Sequence, residues 1–205
     1  MRAALTGGIA SGKSTVALAM SGFGARIVDA DAVAHAVLET QGVGESIFAA
    51  FGEGVRTADG TVDRAALGRL IFASPDARRT LDRLTHPPIL ETLERRVADA
   101  EALSPDTLVV TDVPLLYEVC RPGQFGPVVV AWCRPEVQLR RLMSRDGFDE
   151  ADARRRIEAQ MPLEEKRSRA DFVVDTSGSI AETREQVRDL FPRLVAFCRG
   201  DARVP

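Results

Sequence analysis

Lysine is almost missing from this chain. Of its 27 Lys and Arg residues, only Lys13 and Lys166 are lysine. Codon bias accounts for the scarcity, but not for where the two exceptions sit. Histidine is as rare, with only His35 and His86. The three cysteines, Cys120, Cys133 and Cys198, are odd in number and show no C-x-x-C spacing. That excludes a zinc site or disulfide framework and leaves reduced packing residues. No stretch approaches roughly 18 uninterrupted apolar residues, which excludes a membrane-spanning helix. A basic excess is lacking too. The net charge is −3, so no nucleic-acid partner is expected. The N-terminus runs straight into an apolar segment, with no room for a secretory leader, and a cytoplasmic protein is expected. Hydrophobic content of 45% over 205 residues suffices for a substantial core, and so for one domain or one domain with inserts.

What is present starts at once. Gly7-Gly8-Ile9-Ala10-Ser11-Gly12-Lys13-Ser14 matches G-x-x-x-x-G-K-S without a mismatch. The apolar run Ala3–Leu5 precedes it, and a helical pattern with Val16, Leu18, Ala19 and Met20 follows it. Strand, loop and helix in that order is the setting in which the pattern means a phosphate-binding loop. Glycines let successive backbone N–H groups converge on an anion, and a helix N-terminus adds a favourable dipole. Lys13 is placed to reach the β- and γ-phosphates of a nucleotide, and Ser14 to hold Mg²⁺. A compact ammonium fits between phosphates where a planar guanidinium does not, which gives a reason for lysine in a chain that otherwise uses arginine.

Further strands are expected at Ala25–Val28, Leu108–Asp112, Val128–Trp132 and Phe172–Val174. Helices separate them, so a parallel five-stranded sheet covered on both faces is predicted. Between Ala32 and Leu103 the periodicity is helical, a helical insert of about residues 31–103. Gly42 is expected to interrupt the first helix, Leu67, Leu70 and Ile71 to be buried behind an Asp63 cap, and His86-Pro87-Pro88 to break the chain between two helices. Val113–Glu118 reads as a loop. Pro192 is expected to kink or reset the last helix. Core segments are then 1–30, 104–146 and 171–205.

Asp29 and Asp31 leave the second strand two residues apart, so both can face one crevice. Asp31 is open to two readings: a general base for an alcohol attacking a γ-phosphate, or the cap of a helix starting at Ala32. Asp112 ends a strand where an acid helps to hold Mg²⁺, or else is a turn residue before Val113-Pro114. From Arg134 to Arg169 there are ten basic and eight acidic residues. Most are expected on a solvated, salt-bridged face, with one or two arginines, and less firmly Lys166, meeting phosphates.

Taken together, these motifs resemble dephospho-CoA kinases. Thr6–Thr15 is similar to their phosphate loop, and Asp29-Ala30-Asp31 with Ala34-His35 to their D-A-D-x-x-A-H element. His86-Pro87, Asp112-Val113-Pro114-Leu115-Leu116-Tyr117-Glu118, Gln138–Asp146, Arg156–Pro162 and Ala170–Asp175 continue the likeness in order. The resemblance implies a P-loop kinase fold that transfers the γ-phosphoryl of ATP to the ribose 3′-hydroxyl of dephospho-CoA. It implies an acceptor-binding role for the insert and a lid at about 147–170. By position, Asp31 is the general base, with Lys13 and Arg141 beside it in catalysis. Gly7, Gly8, Ala10, Ser11, Gly12, Lys13, Ser14, Thr15 and Arg145 bind ATP. Asp29, Asp31, His86, Leu115 and Glu118 face the acceptor, and Ser14 and Asp112 hold Mg²⁺. Two positions depart from the family pattern. Ala10 replaces a common glycine and is expected to keep a negative φ, and Tyr117 replaces a frequent Phe, adding a hydroxyl near the presumed acceptor site.

Another small-molecule P-loop kinase, acting on a nucleotide, shikimate or a sugar acid, is the nearest alternative. A guanine switch is excluded by the lack of N-K-x-D, since Gly12 precedes Lys13 and Glu165 precedes Lys166. A non-catalytic ATP sensor would lack a base, and Asp31 is available as one.

Overall fold

A computed structural model describes residues 1–119 and 123–201, so Cys120 lies outside the described residues. Five strands form one sheet: β1 (Arg2–Gly7), β2 (Arg26–Asp29), β3 (Val109–Asp112), β4 (Val128–Trp132) and β5 (Phe172–Asp175). Their spatial order is β2-β3-β1-β4-β5, with β1 parallel to β3 and β4, and β4 parallel to β5. Short apolar runs fit the central strands β1, β3 and β4, which are buried on both faces, whereas the edge strands β2 and β5 are partly exposed. Ala3, Leu5, Val110, Val129 and Val174 pack on one face with Val16, Met20, Val187 and Leu194. Their alternates Ala4, Val109 and Val130 are equally buried.

Ten α-helices accompany the strands among the described residues: α1 (Lys13–Gly22), α2 (Ala30–Leu38), α3 (Gln41–Phe51), α4 (Arg64–Ala73), α5 (Pro75–Leu103), α6 (Leu116–Val119), α7 (Pro135–Asp146), α8 (Glu150–Glu158), α9 (Leu163–Ser168) and α10 (Ile180–Arg199). The chain divides into two compact units. One is Met1–Val28 with Asp99–Pro205, and the other is Asp29–Ala98.

Within the second unit, Ile47, Phe48, Val55 and Leu67 make a small core. Asp63 accepts the amides of Ala65 and Ala66 and so caps α4, as its sequence position predicts.

Several local expectations are corrected. Gly42 does not break a helix but lies inside α3, which restarts after Thr40. Burial of Ile47 and Phe48 outweighs the roughly 1 kcal/mol helix cost of a glycine. Leu70 is 43% exposed and Ile71 only half-buried, because α4 turns Leu67 fully into the small core with Ala66 and Ile71 at its edge. Val113–Glu118 is not all loop, since α6 begins at Leu116. Pro87 and Pro88 do not break the chain between two helices, since α5 runs through them, and α10 likewise continues through Pro192 and is not reset there. Proline forfeits its own amide bond to residue i−4 and crowds that carbonyl, a local cost after which a long helix retains its other bonds.

Candidate active site

The sheet order fixes where a site can form. β1 and β3 are neighbours, yet the chain leaves β1 for β2, beyond β3, and leaves β3 for β4, beyond β1. Their connections therefore depart in opposite directions, and a crevice opens at their carboxyl ends. The glycine loop follows β1, and Asp112 is the last residue of β3, in register with Leu5. Lys13 forms an ion pair with Asp112 there, the two side chains only 17% and 12% exposed.

The loop is tightly built. Gly12 has φ 83°, and a Cβ on it would come within 2.9 Å of Thr176 Oγ1. At Gly7 a Cβ would lie 2.4 Å from Ser11 Oγ and 2.9 Å from the Ala131 carbonyl. The Ser11 amide donates to the Gly8 carbonyl at 3.1 Å, and the Thr15 amide to that of Gly12 at 3.0 Å. Ser14, in the first turn of α1, is exposed. Ala10 has φ 58°, the one positive φ on a non-glycine among the described residues. The expected negative φ is thus overturned: the loop demands a left-handed residue there, at a cost of roughly 1–2 kcal/mol for a Cβ-bearing side chain.

Three polar side chains that the motif does not include hold this loop. The Gln160 side chain accepts the Ile9 amide at 2.8 Å. Gln138 Nε2 donates to the Ile9 carbonyl at 2.8 Å. Thr176 Oγ1 donates to the Ser11 carbonyl at 2.6 Å. Gln138 was open to detection, since a buried amide on the apolar face of α7 needs a partner. Thr176, just past β5, carries no such signal.

The arginines are placed differently from one another. Arg141 donates to the Thr176 carbonyl at 2.6 Å and to that of Gly178 at 3.5 Å, bracing the turn beside the loop. Arg145 pairs with Asp146 through two bonds of 2.8 Å and is more than half exposed. That pairing raises the Arg145 pKa and lowers that of Asp146. Leu115 is half-buried, and its carbonyl accepts the Glu118 amide. The Glu118 carboxylate is engaged by Lys166, at 2.8 Å. Tyr117 turns its hydroxyl into a buried position beside Phe125, Arg169 and Asp171, and burial raises its pKa. Cys133 is buried and its thiol pKa is raised by that burial.

In the second unit α2 starts directly from the end of β2. Asp29, not Asp31, is its cap, accepting the amides of Asp31 and Ala32 at 2.8 and 3.1 Å. The helix begins two residues earlier than the sequence suggests, which shifts the cap by the same amount. Asp31 is exposed in the first turn. His86 sits 3.5 Å from Asp82 one turn earlier on α5, and His35 meets Arg64 at 2.6 Å.

A hard-oxygen donor set, Ser14 and Asp112, fits Mg²⁺, which takes one or two protein oxygens and completes its shell with phosphate and water. No group of three acids, histidines or cysteines among the described residues forms a closed metal cage.

A glycine loop of this build serves to hold a polyphosphate on main-chain amides, and on a parallel sheet of this order it defines a P-loop kinase. Comparison with known proteins narrows the class. The dephospho-CoA kinase family model matches residues 1–182. A dephospho-CoA kinase of Syntrophotalea carbinolica is 47% identical over 197 residues, 96% of this chain and 93% of that protein. One of Arabidopsis thaliana is 45% identical, over 89% of this chain and 78% of that protein. Among solved structures, dephospho-CoA kinase from Campylobacter jejuni superposes with a TM-score of 0.73 at 26% identity, covering 97% of this chain and 98% of that one. A Thermus thermophilus protein superposes with a TM-score of 0.80 at 32% identity, covering 94% and 96%. The chain belongs to the dephospho-CoA kinase family.

Proposed function

We propose that this chain transfers the γ-phosphoryl group of ATP to the ribose 3′-hydroxyl of dephospho-CoA, giving CoA and ADP, the final step of coenzyme A biosynthesis. The observation that carries the reading is the loop after β1 with Lys13 against Asp112, in a chain of this family. Another P-loop kinase activity, of nucleotide or shikimate type, is not favoured, because curated relatives at 42–47% identity carry the dephospho-CoA kinase name.

The roles follow from charge and geometry. Backbone amides of Gly7–Thr15 cup the phosphates, and Lys13 exchanges the Asp112 carboxylate for the β- and γ-phosphate oxygens. Ser14 and Asp112 would hold Mg²⁺, which supplies charge neutralisation on those oxygens. Asp31 is the general base. Its carboxylate, freed from capping by Asp29, takes the proton of the attacking hydroxyl. Asp29, His86 and Leu115 are assigned to the acceptor side, with residues 31–103 as the acceptor-binding part and about 147–170 as the lid. Arg141 and Arg145 are the candidates for phosphate contact, each by exchanging the protein acceptor it now holds. A cytoplasmic setting is part of this reading and rests on the family; no helix among the described residues is long and apolar enough to cross a membrane.

The test is a purified-protein assay with ATP, Mg²⁺ and dephospho-CoA beside a panel of shikimate, gluconate and nucleoside monophosphates. CoA formation with dephospho-CoA as the preferred acceptor is expected. Preference for any other acceptor sinks the reading.

A further inference from the structure

The second lysine is the more surprising of the two. Lys166, on α9, is 0% exposed, and burying a charge is costly unless every donor is used. Here the donors are used. Lys166 Nζ donates to the Pro114 carbonyl at 2.9 Å, to the Gly7 carbonyl at 3.4 Å and to Glu118, whose carboxylate oxygens lie at 2.8 and 3.2 Å. Glu118 is anchored in turn, accepting the Met161 amide at 3.1 Å. The Pro114 carbonyl also accepts the Thr6 hydroxyl at 3.2 Å.

The two backbone carbonyls belong to the two halves of the phosphate site. Gly7 opens the glycine loop, and Pro114 lies two residues past Asp112, the partner of Lys13. One residue before Met161, Gln160 takes the Ile9 amide. The stretch from Gln160 to Lys166 thus holds the loop at Ile9 and Gly7 and the β3 exit at Pro114. An apolar side chain would fill the same slot without a desolvation penalty, but it could not bind two carbonyls from different strands.

We infer that Lys166 and Glu118 are a positioning pair for the nucleotide. They set the spacing between the loop amides and Asp112, and touch no reacting atom. This rests on the nucleotide-binding reading above. It also moves Glu118 from the acceptor surface to the support of the loop, and takes Gln160 to Lys166 out of the proposed lid, which then ends before Gln160.

The test compares the full-length chain with Lys166→Met, Glu118→Gln and the double variant. ADP affinity is measured by calorimetry, KM is measured for ATP and for dephospho-CoA, and Tm is recorded for each. Weakening of ADP binding and a rise in the KM for ATP of about tenfold or more are expected, the scale on which supporting partners act. The KM for dephospho-CoA is expected to stay within about twofold, and the double variant to be about as weak as the worse single one, because both act through one contact. Should Lys166→Met fail to fold, Glu118→Gln carries the measurement, since it keeps an acceptor for the Met161 amide. Unchanged ADP affinity in a folded variant, or equal rises in both KM values, overturns the inference, and additive losses in the double variant overturn the pairing. A wild-type chain that does not bind ADP overturns the nucleotide reading as well, whereas wild-type binding with unaltered variants overturns this inference alone.

Discussion

The two compact units secure their candidate site residues by opposite means. In the sheet unit, the glycine loop is held from far along the chain. Ile9 is bound by Gln160, Gly7 by Lys166 and Ser11 by Thr176, at separations of 151, 159 and 165 residues. In the helical unit most anchors are near neighbours, the His35–Arg64 contact across 29 residues excepted. Asp29 and Asp63 each cap their own helix, Thr57 and Thr61 close a turn around Asp59, and His86 meets Asp82 one turn away. The lesson concerns where precision is stored. A loop that must aim several amides at one anion needs restraints from several elements. A carboxylate in a helix's first turn needs only its own helix.

That contrast can be broken by substitution, and the largest effect is expected at the phosphate end. Lys13→Ala should lower kcat/KM for phosphoryl transfer on the order of 10²–10³-fold, the scale of one lost charge-stabilising donor. Near-normal turnover in a steady-state assay would remove the loop from the mechanism.

Asp31→Asn tests the other side. A lost general base lowers kcat on the order of 10²-fold, the lower end of the usual range, with ADP affinity retained. Because Asp29 supplies the cap, Tm should barely move. A fall in nucleotide affinity without a separate fall in kcat would return Asp31 to a structural role.

Thr176→Val separates distant restraint from local chemistry. It keeps the side-chain shape but removes the bond to the Ser11 carbonyl, leaving that acceptor unsatisfied at a cost of about 1–3 kcal/mol. Thermal unfolding should show the loss, and the KM for ATP should rise while that for dephospho-CoA holds. Equal changes in both KM values would blur the division between the two sides.

The smallest effect is expected at Ala10. Ala10→Gly relieves a left-handed backbone and should stabilise the chain by about 1 kcal/mol or less, since the more flexible unfolded glycine offsets part of the gain. Denaturant unfolding reads this directly. A loss of stability would mean that the loop does not hold φ near 58° in solution.

Much of this is legible in the sequence alone. Each of the five strands lies within a residue or two of its apolar run, because a short apolar run bounded by turn or polar residues is the signal of a strand in a covered sheet. The glycine loop was legible because its chemistry requires fixed residue types at fixed spacing. What escaped was tertiary. Nothing local marks Thr176 or Gln160 as loop supports, because their partners lie more than a hundred residues away. The positive φ of Ala10 escaped for the same reason, since loop closure and not the residue's own preference sets it. The proline positions failed in the other direction. Local rules said break at Pro87-Pro88, and a reset was one of two expectations at Pro192, yet both helices run on through their prolines.

The adjacent prolines of α5 have one further effect. Neither has an amide hydrogen, so the carbonyls of Arg83 and Leu84 receive no i+4 donor from within the rod. Solvent deuterium should therefore enter the helix as two separately fraying halves that meet at this seam, with the backbone free to flex there without either half melting.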